Sequence, residues 1–151
     1  MSFELKSPIQ LTIQKTIPDE VIKQDTETDV KFQNIVYWMH DVGKTVRGQD
    51  HVHIDFFKAM NEMENLNWEY RRNYIGFRNH KTKDEVQFIR ISEDKWYADV
   101  PIDDGPHWPG YVWGSIGDSK TISEMVRLFF EEMPWFGMLS WKSKRTRYAK
   151  D

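Results

Sequence analysis

From residue 68 to 116 the chain alternates apolar and polar side chains in short runs separated by polar turns. This constrains the fold most, because residues two apart share one face of a strand, whereas a helical face needs spacings of three and four. Trp68, Tyr70 and Tyr74 alternate with polar residues, and Ile75 and Phe77 continue the run. The segment 79–84, NHKTKD, reads as a polar hairpin loop. In the return strand Val86 and Phe88 lie on one face and Ile89 and Ile91 on the other, a pattern expected near the centre of a sheet. After the turn SEDK, Trp96, Ala98, Val100 and Ile102 alternate with Tyr97 and Asp99. The loop 103–109, DDGPHWP, cannot continue a strand, and another strand covers 111–116. Strands joined by short turns imply an antiparallel sheet.

Flanking segments supply helices. Ile9, Leu11 and Ile13 predict a first strand, closed by Pro18-Asp19, and the acidic stretch 20–29 predicts a surface connection. Thr26-x-x-Asp29 resembles a helix start, and Phe32, Ile35, Val36 and Met39 fall at helical spacing up to a C′-like Gly43. Asp50 is the expected N-cap of a second helix carrying Phe56, Met60 and Met63. The two helices, joined through 43–49, predict an αα-hairpin. Thr121-x-x-Glu124 reads as a capping box ahead of Ile122, Met125, Val126, Phe129 and Met133, with Pro134 ending that helix. A short apolar piece at 136–141 predicts a last strand. The expected fold is α+β: an antiparallel sheet of about five to six strands, with an N-terminal αα-hairpin and one C-terminal helix packed on it. Residues 1–141 form the single expected domain, and 142–151 a basic, frayed tail.

Composition narrows the function classes. Aromatic residues make up 15% of the 151, enough to offset ordering entropy despite 30% charged residues, so the chain is expected to fold. A formal charge of −3 makes nucleic acid an unexpected partner, and the basic tail with Trp141 and Tyr148 is read as solvated. Cysteine is absent, which removes disulfides, thiolate metal sites and a cysteine nucleophile. The N-terminal sequence lacks a signal-peptide pattern, and no apolar run approaches the ~20 residues that span a bilayer. A soluble, cytoplasmic protein without a membrane partner is the expectation.

Two stretches carry candidate chemistry. In 40–55, HDVGKTVRGQDHVHID, an αα-hairpin would bring His40 and Asp41 at one helix end to His51, His53 and Asp55 at the next, able to converge on a divalent metal. His40-Asp41-Val42-Gly43-Lys44 resembles the HDxGK core of HD-domain phosphohydrolases. The resemblance implies a metal site of His40 and Asp41 with His51 or His53, and it covers about a tenth of the chain. That family also uses a histidine on an earlier helix, and no histidine precedes His40.

The second stretch, 96–113, WYADVPIDDGPHWPGYVW, is rich in aromatic side chains with polar tips, which suit sugars, bases or peptide surfaces. Its candidate ligand-binding residues are Trp96, Asp103, Asp104, His107, Trp108, Tyr111 and Trp113. Asp103 with His107 could make an acid–base pair across the folded loop. No GxGxxG or GxxxxGK[ST] motif is present. The leading expectation is a small intracellular binding or interaction domain, using 96–113 to hold a small molecule or protein and requiring no cofactor. The alternatives are an HD-like metal-dependent phosphohydrolase and a structural accessory subunit that forms homo-oligomers.

Overall fold

The computed structural model describes residues 34–102 and 111–145. The order of elements is β1 (Ile35–Asp41), β2 (Lys44–Val46), β3 (Val52–His53), α1 (Phe56–Glu64), β4 (Tyr74–Asn79), β5 (Glu85–Ser92), β6 (Lys95–Pro101), β7 (Tyr111–Gly117), α2 (Ser119–Phe130) and β8 (Lys142–Arg145). All pairings are antiparallel and run β2-β1-β4-β5-β6-β7-β8, with β3 also on β1. The expected α+β class holds, and β5 is central as its two-sided apolar pattern predicts. The described residues contribute eight strands rather than five or six. The predicted strand at 9–13, the connection 20–29 and the loop 103–109 lie outside the described residues.

The predicted αα-hairpin is not formed. Within the described residues, the first of its helices is strand β1. Ile35, Val36, Tyr37 and Met39 are all buried, so both faces of β1 are covered. A strand apolar at nearly every position satisfies helical spacing by default, while the run Ile-Val-Tyr-Trp favours the pleated conformation. Gly43 is not a helix C′ residue. It is the second residue of the two-residue turn between β1 and β2, at φ 72, with Asp41 paired to Lys44. The same glycine signal serves both structures, because both need left-handed backbone.

Of the two predicted helices, the second is a helix among the described residues, and its N-cap is Asp55 rather than Asp50. The Asp55 carboxylate accepts from Lys58 N at 2.8 Å, while Asp50 lies in a 3-10 turn, Gly48–Asp50. Residues 68–73 form turns rather than the start of a strand. Asn73 organises them: its amide donates to Tyr70 O and Arg90 O, and its Oδ1 accepts from Arg90 N at 2.7 Å. The buried Arg90 guanidinium lies 4.7 Å from the Trp68 ring centroid and 5.2 Å from that of Trp96. It donates to the carbonyls of Glu64, Leu66 and Glu93, tying the end of α1 to the β5–β6 turn. This carries a charge in the interior because most of its donors are used.

Both helices cover one face of the sheet. Tyr37, Ile75, Phe77, Phe88, Trp96 and Ala98 meet Ala59 and Met63 of α1 and Ile122, Met125, Val126, Phe129 and Phe130 of α2 in one core. The N-cap of α2 is Asp118, not Thr121. The Asp118 carboxylate accepts from Thr121 N at 2.8 Å, which holds its pKa below the ordinary carboxylate range, and Glu124 pairs with Arg127 instead of capping. Aspartate three residues upstream is an equally good cap and adds a turn of helix. The helix ends at Phe130, short of Pro134, and Met133 is half exposed beyond it. The piece 136–141 holds a 3-10 turn, Phe136–Met138, and the head of the basic tail pairs with β7 as β8.

The hairpin assignment at 41–44 has a direct check. Gly43→Ala is expected to lower stability by about 1 kcal/mol in urea denaturation, although nothing lies near its Cβ position, and Gly43→Asn to recover part of that loss. Equal stability of all three proteins would contradict the left-handed turn.

Candidate functional site

Strand alternation places Trp38, Gly76, Gln87, Asp99, Gly114 and Lys142 on the face opposite the helices. The registers align them in one row: Trp38 with Gly76, Gly76 with Gln87, Gln87 with Asp99, Asp99 with Gly114, and Gly114 with Lys142. The two glycines leave gaps that aromatic rings occupy. A Cβ on Gly76 would overlap the Trp38 indole, and one on Gly114 would come within 2.5 Å of the Tyr97 hydroxyl. Trp38 Nε1 donates to Gln87 Oε1 at 2.7 Å, which fixes the indole flat across β4. Between the two rings the row presents Gln87 and Asp99.

Asp99 is the unusual member. Its Oδ1 is shielded from solvent and has no hydrogen-bond partner among the described residues. Burial pushes its pKa from 3.8 up to about 6; Lys144 pulls it down, and Glu85 pushes it further up. The Lys144 ammonium lies 4.7 Å from the Tyr97 ring centroid. In the adjoining row Arg78 pairs with Glu85 at 2.9 Å. Burial raises the pKa of Glu85, with the Arg78 hydrogen bond and charge opposing, and raises that of Tyr97, with Asp99 adding to it. Ile116, paired with Tyr97, and Ile91 are exposed on this face. The arrangement offers an acceptor lacking a donor among the described residues, flanked by aromatic rings and an apolar rim.

The residues singled out by sequence are dispersed. Trp96 belongs to the core, with Nε1 donating to Ser119 Oγ at 2.9 Å. Tyr111 and Trp113 are exposed on β7, and Asp103, Asp104, His107 and Trp108 lie outside the described residues. Trp113 instead helps line an open groove of about 1080 Å³, together with Lys83, Val100, Ile102, Met133 and Trp135. Arg78 and Glu85 reach both the groove and the face opposite the helices, whereas Asp99 does not line the groove.

His40 and Asp41 do not converge with His51 or His53, because the helix–helix geometry that would bring them together is a strand hairpin. His40 bonds Thr45 Oγ1 and Tyr70 OH, each at 2.8 Å, through its two ring nitrogens. Asp41 accepts from Val42 N and Asn67 N. His53 lies on β3 at the far end of β1, opposite Val36. His51, in left-handed backbone at φ 52, stacks on His80 at 5.5 Å. Burial lowers the His80 pKa, with Arg78, His51, Lys83 and His53 adding to the shift. Among the described residues, no group of three or more His, Cys, Asp or Glu side chains is arranged to hold a metal ion.

Trp38, Gln87, Tyr97 and Asp99 were not marked by sequence, since in alternation they read as the wet side of ordinary strands. The available signal was glycine inside strand patterns at 76 and 114, which often marks a close approach. No protein-family model, curated protein or solved structure matches the chain. No helix among the described residues is long and apolar enough to cross a membrane.

The raised carboxyl has a stability consequence. The folded protein holds the Asp99 proton more tightly than the unfolded chain, so this stabilisation is present below pH ~4, falls as pH rises through about 6, and is gone above. The shift corresponds to at most roughly 3 kcal/mol. Asp99→Asn is therefore expected to be more stable than wild type at pH 7.5, with the difference shrinking by pH 4.5 in urea melts. A difference independent of pH would contradict the assignment.

Proposed function

We propose that this chain is a small binding domain that presents the face of its sheet opposite α1 and α2, centred on Asp99, to a ligand or partner. The observation carrying the reading is the Asp99 carboxyl. Its Oδ1 is shielded and has no hydrogen-bond donor among the described residues, and it is flanked by two rings held in place over glycines. A carboxyl in such surroundings destabilises the free protein at neutral pH, and groups of that kind concentrate at functional sites. The reading keeps the aromatic β6–β7 region expected from sequence as the recognition element, but moves recognition from its loop onto the strand faces, through Tyr97, Asp99 and Gly114.

The test is an amide NMR titration of the full chain with a fragment set containing neutral aromatic, cationic and anionic members. Shifts are expected to cluster on Trp38, Gln87, Tyr97, Asp99 and Gly114. Shifts confined to the groove around Lys83 and Trp135, or no saturable shift, would overturn the assignment.

A further inference from the structure

The geometry points to an arginine side chain of a protein partner as the group received between Tyr97 and Trp38, its guanidinium donating to Asp99. The inference rests on the proposed binding face and adds what that face selects.

Complementarity starts from what surrounds Asp99. From β6 it meets Tyr97; from β5, Gln87 and Glu85; from β4, Arg78 beyond Glu85; from β7, Gly114; and from β8, Lys142 and Lys144. Arg78 is committed to Glu85, and Gln87 Oε1 is taken by Trp38. The described neighbours thus include acceptors, rings and the lysines Lys142 and Lys144, yet none donates to Asp99 Oδ1. A planar guanidinium answers both needs, since it donates in a fork to a carboxylate and stacks on an aromatic face.

Tyr97 already attracts a cation from within the chain. Lys144 lies over its ring but forms no ion pair with Asp99 within 4.0 Å, and its side chain is exposed. An incoming guanidinium can displace it. The exposed Ile91 and Ile116 on the same face favour a protein as the source, because interface hot spots set a charged anchor within apolar surroundings that exclude water.

The test follows amide shifts on titrating the full chain at pH 7.5 with acetyl-Gly-Arg-Ile-Gly-amide, with its citrulline counterpart, and with agmatine. The arginine peptide is expected to bind roughly ten-fold tighter than the citrulline peptide, with shifts at Tyr97, Asp99 and Gly114. The preference should vanish in Asp99→Asn. In Lys144→Gln the arginine peptide should bind more tightly, whereas a merely structural lysine would leave affinity unchanged or weaken it. Agmatine binding as tightly as the peptide would overturn a protein source. If citrulline peptide and neutral fragments shift the face while arginine gains nothing, the cation inference fails and the binding face stands. If no probe shifts the face, both fail.

Discussion

Phe77 is the side chain on which the rest of the sheet depends. Its ring lies 5.5 Å from Phe130 and 6.4 Å from both Phe88 and Phe129, joining the two central strands to α2. Side chains alternate along a strand, so burying Phe77 commits Gly76 and Arg78 to the opposite face. A slip of one residue would place Gly76 in the core and Phe77 against the Trp38 indole. The helix-covered core thereby dictates the register that builds the opposite face. The core and the opposite face are two sides of the same strand pairing.

Much of the sheet was legible because its covered face has a strict period. The β4–β5 hairpin, the centrality of β5, the β5–β6 turn and the run of β7 follow from alternation and polar turns alone. So do Ile122, Met125, Val126 and Phe129 as the buried side of α2. Strand β1 was not legible, because burial on both sides erases the period that distinguishes strand from helix. The metal reading fell with it, since it depended on two helix ends meeting. The site was hidden for a different reason. Which strands lie side by side decides that Trp38 reaches Gln87, and that partnership is 49 residues apart in sequence. Asp99 looked like any outward aspartate until its neighbours on β5, β7 and β8 were in place.

At Asp99 stability is set against the proposed recognition. A shielded carboxylate oxygen with no donor among the described residues raises the free energy of the free protein at neutral pH, while Arg90 is buried with both terminal guanidinium nitrogens hydrogen-bonded and only its Nε without a partner among the described residues. The contrast between these two buried charges, one on each face, separates a group held for architecture from one left open. Stabilising the open one internally would remove the feature that distinguishes the face.

The broken strand beyond β1 bears on how the sheet meets other chains. Met39 pairs with Val46 and Val36 with His53, so three steps along β1 are matched by seven along its neighbour, the excess taken up by the turn at Gly48–Asp50. An extended foreign segment laid along that margin would find its backbone groups in phase for only a few residues before the turn interrupts them. Among the described residues the sheet thus ends, on that side, in a boundary that resists templated growth.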